Sequence, residues 1–385
     1  MSVALLLGGG APTLTLQSGA LAALDKKGVK FSVVSTAGAG MVVGLVYAAP
    51  KGKTTQQALA DTVNLGVDDA IYDQFPVNFK AFHKPGLAAD QYRSFLRMLP
   101  RAQLGDTPAE RLFSDWMGLM FSAFCPSDLS PQSKGLCEHA PWIEDIVDFD
   151  QLKNFDGEFY MNAYNITKGK MDIFHEAEIT PDHFRAALAF PFIYPPFKLN
   201  GNTYIEGSAI DTLCFEGLLE YRQEQTRREK DLTDREPDLE PLKTVVIFDV
   251  LSSKKIIREP RNLYDAWIQS IMIPLVEIAK DDLELFKYRH MVKLDSEELK
   301  LFPDRDTQKS DNEKWQLNLL EMKFDDYIPE HQWPYVLDWS YSNLKTLYDA
   351  GYQAGLDFYE KNKDDLRPHK PAKRKKPVES AELVT

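Results

Sequence analysis

The sequence predicts an α/β fold with a mostly parallel sheet, and three stretches of the chain carry that prediction. An apolar strand at residues 3–7 runs into a glycine triplet and then into a helix. A β-branched run at 29–34 passes through small residues into an apolar helix, and a further apolar strand covers 242–251. Strands that are apolar along their whole length and alternate with helices are typical of a parallel sheet covered on both faces.

Size and charge limit the classes of function that the chain can have. Its 385 residues can bury a large core, and the formal charge is −13. Residues 367–385 hold a surplus of four positive charges, which leaves −17 for the body and argues against nucleic-acid binding. Three cysteines favour a reducing compartment. No signal peptide or membrane span of roughly 20 apolar residues is recognisable, so we expect a cytoplasmic protein.

The first strand ends at Gly8, Gly9 and Gly10, and a helix follows over 14–27. Glycines at a strand-to-helix junction let backbone N–H groups approach an anion closely, because no Cβ blocks the approach. A phosphate or the oxyanion of an acyl-transfer intermediate would fit there. Residue 13 is Thr where a dinucleotide-binding loop would have glycine, which disfavours that class of cofactor.

The second strand ends in Ser35-Thr36-Ala37-Gly38-Ala39, and the next helix starts without a polar loop. This pattern is typical of a sharp strand–turn–helix that exposes a nucleophile at its strained apex. We predict Thr36 at the apex, with Ala37 and Gly38 supporting the turn and the positive end of the helix dipole beside it. An ordinary α/β turn is the alternative. Ser35 is a rival nucleophile, which strand alternation turns to the opposite side.

A helical insertion is predicted at 60–150. Its amphipathic helix at 111–124 is either plain core or a cap over an acyl site, with Trp116 and Met120 in contact with lipid. The spacing of the residues that follow it matches no strong zinc pattern, so no metal is expected (Cys125, Cys137 and His139).

Further strands are predicted at 158–165, 171–173 and 203–205, with a helix at 180–189 and a proline-rich loop at 190–197. The last of these strands ends at Glu206, followed by Gly207 and Ser208, so this acid stands where a general base would. A solvated turn is the ordinary alternative. The rest of the chain predicts a charged helix and linker at 216–243, long helices at 261–294 and 340–362, and a disordered basic tail from 367.

Three motifs and one supporting segment resemble the patatin-like phospholipase family: residues 8–10, 35–39, 206–213 and 185–197. The resemblance implies a three-layer α/β/α domain over 1–366, with 60–150 as a helical cap. It also implies that Gly8, Gly9 and Gly10 form an oxyanion hole, that Thr36 attacks the ester and that Glu206 is the base. The substrate would be a lipid or another acyl ester, with no metal or organic cofactor.

The sequence departs from the family pattern at the residues that matter for chemistry. Val34 replaces the first glycine of the turn, Thr36 replaces serine and Glu206 replaces aspartate. An active Thr–Glu pair would make the protein an acyl ester hydrolase. An inactive acyl- or membrane-binding protein is the second hypothesis, and transfer of the acyl group to an alcohol is the third. The basic tail predicts peripheral contact with an anionic membrane.

Overall fold

The computed structural model describes residues 2–98, 107–139, 142–231, 242–251, 255–288 and 317–366. Within these ranges the strands are β1 Ser2–Leu7, β2 Val33–Thr36, β3 Glu158–Asn165, β4 Lys170–His175, β5 Phe197–Leu199, β6 Asn202–Glu206, β7 Leu242–Asp249 and β8 Asn318–Lys323. The helices are α1 Leu14–Lys26, α2 Gly40–Ala48, α3 Thr55–Asp61, α4 Asp69–Gln74, α5 Leu87–Met98, α6 Pro108–Phe124, α7 Ile143–Ile146, α8 Phe149–Leu152, α9 Pro181–Ala187, α10 Phe215–Asp231, α11 Leu263–Phe286 and α12 Tyr341–Asn362.

The described strands form one sheet in the order β5-β6-β3-β2-β1-β7-β8, and β4 also pairs with β3. The five strands from β3 to β8 in this order are parallel to one another. The remaining pairings, β3 with β4, β3 with β6 and β5 with β6, are antiparallel. The prediction of an α/β fold with a mostly parallel sheet is confirmed.

Side chains of β1 alternate between two hydrophobic clusters, one on each face of the sheet. Leu5 and Leu7 pack in the cluster that contains residues of α1 and α2. Ala4 and Leu6 pack in the cluster that contains residues of α10. Both sets are fully buried, so the central strand is apolar on both sides and shows no alternation of apolar and polar residues.

Helices α1 and α12 approach each other backbone to backbone. A Cβ atom placed on Gly19 of α1 would lie 2.0 Å from the carbonyl oxygen of Tyr348. One placed on Gly351 of α12 would lie 2.0 Å from the carbonyl oxygen of Leu16. Glycine is therefore required at both positions for this packing, which anchors the last described helix to the first.

Some predicted boundaries differ from those of the structure. The second strand begins at Val33, later than predicted, and continues through Thr36. Between α2 and β3 the described residues form helices and loops, with isolated β-bridges within this region and to residues 192 and 340. The predicted tail at 367–385 lies outside the described residues, as does the last part of the long helix predicted at 261–294. Within the described ranges, no helix is both long enough and apolar enough to cross a bilayer.

Candidate active site

An apolar cavity of about 220 Å³ opens beside the carboxyl ends of the central strands. Helix α11 contributes one wall through Trp267, Ile271 and Leu275, and Trp142 and Trp339 contribute others. The lining also includes the polar side chains of Glu206 and Ser208. A hydrocarbon chain is the class of ligand that such walls favour, with polar chemistry confined to one place.

The glycine loop after β1 lies against the segment that follows β6. Gly9 donates its N–H to the carbonyl oxygen of Thr212 at 3.3 Å. Gln17 Nε2 donates to the carbonyl oxygen of Gly8 at 2.9 Å, which fixes the glycine loop to α1. Gly10 has φ +122° and lines the cavity. The structure thus brings the glycine triplet close to the segment that follows Glu206, and the N–H of Gly9 is already engaged there.

The apex of the turn after β2 is Gly38. Its φ of +52° lies in the left-handed region that favours glycine, and α2 begins two residues later. Ala37 donates its N–H to the carbonyl oxygen of Leu7 and so continues the strand pairing past Thr36. The prediction that Thr36 occupies the apex is therefore wrong, because β2 ends two residues later than predicted, at Thr36, and the backbone reverses only at Gly38. None of residues 37–39 carries a nucleophilic side chain.

Thr36 lies inside the sheet with its side chain turned toward α2. The hydroxyl donates to the carbonyl oxygen of Tyr160 on β3 at 2.9 Å. A Cβ atom on Gly44 of α2 would lie 2.6 Å from the Thr36 methyl carbon. Ser35 faces the other side, as predicted, and donates to the carbonyl oxygen of Cys214 at 2.7 Å. Neither hydroxyl has a hydrogen bond to Glu206 in the described part of the chain.

Glu206 ends β6 and is 7% exposed. Its carboxylate accepts a hydrogen bond from the Ser208 hydroxyl. Burial raises the pKa of Glu206 to about 7, and the bond from Ser208 opposes that shift. A carboxyl group with such a pKa exchanges protons near neutral pH, which suits a general base.

Ser208 is a polar residue of the cavity wall that the sequence analysis did not single out. Its hydroxyl lies 2.6 Å from where a Cβ on Gly38 would be and 3.3 Å from where a Cβ on Gly9 would be. The structure thus brings together Gly9, Gly38, Glu206 and Ser208, and it keeps Thr36 apart. The available signal was a hydroxyl residue two positions after the predicted base.

Other groups of potential metal ligands do not converge. In the ranges that the structure describes, no cluster of three or more His, Cys, Asp or Glu side chains could hold a metal ion. His139 instead stacks on Tyr194, with ring centroids 4.6 Å apart, and its Nε2 atom lies 3.2 Å from the carbonyl oxygen of Pro195.

Comparisons with known proteins give a family match and distant structural likenesses. The family model described as patatin-like phospholipase matches residues 5–219. VipD from Legionella pneumophila has a TM-score of 0.34 and 13% identity, over 94% of this chain and 66% of VipD. Human GIVD cytosolic phospholipase A2, in complex with methyl gamma-linolenyl fluorophosphonate, has a TM-score of 0.39 and 12% identity, over 94% and 58%. The chain spans under two thirds of either protein. No curated protein matches.

Proposed function

The chain belongs to the patatin-like phospholipase family, and from that membership we propose that it cleaves an acyl ester whose hydrocarbon chain lies in the apolar cavity. Membership by itself supports a function like that of a lipid acyl hydrolase. The observation that carries the finer proposal is a buried carboxylate, Glu206, hydrogen-bonded to a hydroxyl at the wall of that cavity.

The walls of the cavity favour binding of an acyl chain. Its aromatic and aliphatic lining includes Trp267, Ile271 and Trp339, and its volume is about 220 Å³. Each methylene group that moves from water into such a site contributes roughly 0.8 kcal/mol. Affinity should therefore increase with chain length until the cavity is full.

Glu206 supplies the proton transfer in this proposal. With a pKa raised to about 7 by burial, it accepts a proton near neutral pH more readily than an exposed carboxylate does. Backbone N–H groups of Gly8, Gly9 and Gly10 would hold the oxyanion, and Gly10 lines the cavity. For Gly9 this requires that the ester oxygen displace its 3.3 Å hydrogen bond to Thr212.

One observation favours a second function, which is acyl binding without turnover. The apex of the turn is Gly38, so the nucleophile expected of the family is absent from that turn. In that case Glu206 would have only a structural role, and the cavity would act as a carrier or sensor site for a fatty acid.

Hydrolysis and binding assays on the full-length protein test both functions. We expect hydrolysis of p-nitrophenyl esters, and saturable quenching of tryptophan fluorescence by fatty acids, because Trp267 and Trp339 line the cavity. Glu206→Gln should keep the fatty-acid binding and lose hydrolysis. Binding by the wild type without hydrolysis would favour the second function. A protein that neither binds fatty acids nor cleaves esters would overturn both.

A further inference from the structure

We infer that Ser208 is the nucleophile of this site. Its hydroxyl occupies the space that a side chain at residue 38, the apex of the turn after β2, would need. The inference rests on the proposed ester hydrolysis and names the residue that forms the covalent bond. It assigns the nucleophile to the loop after β6, 170 positions away from the turn after β2 in the chain.

The apex of the turn has room for a side chain at residue 38 or for the side chain of Ser208, but not for both. A Cβ atom on Gly38 would lie 2.6 Å from Ser208 Oγ and 2.9 Å from Ser208 Cβ. It would also lie 2.8 Å from Glu206 Oε1. These separations are shorter than any ordinary contact of a Cβ atom, so the hydroxyl of Ser208 and a side chain at residue 38 exclude each other.

The hydrogen-bond acceptor distinguishes the hydroxyl of Ser208 from those of Thr36 and Ser35. Ser208 donates to Glu206, whereas Thr36 donates to the carbonyl oxygen of Tyr160 and Ser35 to that of Cys214. A hydroxyl that already donates to the base is placed to lose its proton to that base as it attacks. Among these three hydroxyl groups, Ser208 alone meets that condition.

The backbone around Ser208 is fixed by contacts on the side away from the cavity. A Cβ atom on Gly207 would lie 2.5 Å from Asn162 Oδ1, so the chain passes close to β3 at this point. Asn162 Nδ2 donates to the carbonyl oxygen of Asp211 at 2.9 Å. These contacts hold the 3₁₀ turn at 207–209, and with it the Ser208 hydroxyl, beside Glu206 and Gly9.

The chemical steps balance with water as the only co-reactant. Ser208 Oγ attacks the ester carbonyl carbon while Glu206 takes the hydroxyl proton, and a tetrahedral oxyanion forms. The bond to the alcohol breaks, and Glu206 returns the proton to the departing oxygen, which leaves an acyl ester on Ser208. Glu206 then takes a proton from water, which attacks the same carbon. As this second intermediate collapses, the bond to Ser208 Oγ breaks and Glu206 returns the proton to Oγ, which releases the carboxylic acid and restores the Ser208 hydroxyl.

Fluorophosphonate labelling with peptide mapping tests the inference. Cleavage after Lys and Arg separates peptide 199–222, which contains Ser208, from peptide 31–51, which contains Thr36 and Gly38. We expect an adduct on Ser208 that is lost in Ser208→Ala, together with a fall in kcat of roughly 100-fold or more. The adduct on Ser208 should persist in Thr36→Val.

The exchange variant Gly38→Ser with Ser208→Gly provides a second, independent readout. Ser208→Gly removes the contacts with Ser208 Oγ and Cβ and leaves Glu206 Oε1 beside residue 38, so the adduct should move to residue 38 on peptide 31–51. Circular dichroism and thermal unfolding of each variant identify those that fold.

Three outcomes would overturn the inference. An adduct on Thr36 or elsewhere in the wild type contradicts it, as does full hydrolysis by a folded Ser208→Ala variant. If that hydrolysis still requires Glu206, the proposed function survives and only the nucleophile is wrong. A wild-type protein with neither hydrolysis nor an adduct overturns both together.

Discussion

The absence of a side chain at residue 38 follows from its surroundings. A φ of +52° disfavours any residue with a Cβ, and the atoms of Glu206 and Ser208 fill the space that a side chain would need. The family's nucleophile tolerates the first condition, since strain at an active-site turn is common. A nucleophilic side chain at residue 38 does not fit while Ser208 is present, because Ser208 fills the same space.

The pH dependence of Glu206 is predicted to be opposite for activity and for stability. Its pKa is raised to about 7, so the base becomes active as the pH rises through about 7. A carboxyl group whose folded pKa exceeds its unfolded value stabilises the fold at low pH, and this contribution is lost as the pH rises through the folded pKa. With 1.36 kcal/mol per pKa unit, ionisation of Glu206 should cost the fold about 3 kcal/mol at pH 8.

Urea denaturation of the wild type and of Glu206→Gln at several pH values measures this cost. The variant should gain stability relative to the wild type between about pH 4 and 8. The comparison is needed because burial also raises the pKa of Asp211 to about 7 and that of Asp282 to about 6. Those two groups titrate in both proteins, so their effect cancels. A difference in stability that does not change with pH would contradict the prediction.

At the scale of elements, the sequence predicted long apolar segments better than turns. Strand β3 has the predicted bounds, Glu158–Asn165, because its residues are buried on both faces. Strand β8, Asn318–Lys323, was not predicted, because it is short, carries charge and owes its place to pairing with β7. The apex after β2 was misplaced by two residues, since small residues there make several turn positions equally plausible from sequence.

Gly351→Ala tests the backbone contact between α1 and α12. Alanine favours a helix by up to about 1 kcal/mol over glycine, so a solvated site would gain stability. Here the added Cβ would lie 2.0 Å from the carbonyl oxygen of Leu16, and the helices must separate. We expect a net loss of about 2 kcal/mol, as for other overpacked sites. Gln353→Ala, at an exposed position of the same helix, should change stability by less than about 0.5 kcal/mol.

Thermal and urea unfolding measure the stability of both variants. Equal stability of Gly351→Ala and Gln353→Ala would contradict the close contact. Retained ester hydrolysis in a folded Gly351→Ala variant is also expected, because this contact lies outside the group of residues around Glu206.

At the scale of the whole molecule, the cavity depends on segments that lie far apart in the sequence. Trp142, Glu206, Trp267 and Trp339 all line it, although they come from four different parts of the chain. Sequence reasoning found Glu206 and the glycine loop because each sits at the end of a predicted strand. It could not find the tryptophans, since only tertiary packing brings these three distant residues to the walls of one cavity.

The basic tail is predicted to strengthen contact with anionic membranes. It has six Lys or Arg against two Glu in residues 367–385, and each basic residue near such a surface contributes about 1 kcal/mol. Deletion of 367–385 should weaken binding to vesicles that contain phosphatidylglycerol, most at low salt, and leave binding to neutral phosphatidylcholine vesicles unchanged.

Replacement of the six basic residues by glutamine in the full-length chain is the matched control. Cosedimentation at two salt concentrations measures both variants, and the glutamine variant should bind as weakly as the deletion. Unchanged binding of either variant to anionic vesicles would show that the tail has no role in membrane association.

The mutual exclusion of side chains at residues 38 and 208 also restricts the order in which mutations could exchange them. A chain with serine at both positions is crowded, because the two Cβ atoms would lie 2.9 Å apart. A chain with glycine at both has no hydroxyl beside the carboxylate. Any stepwise exchange between the two arrangements therefore passes through a variant that is crowded at residue 38 or that lacks a hydroxyl beside Glu206, so the two positions have to change together.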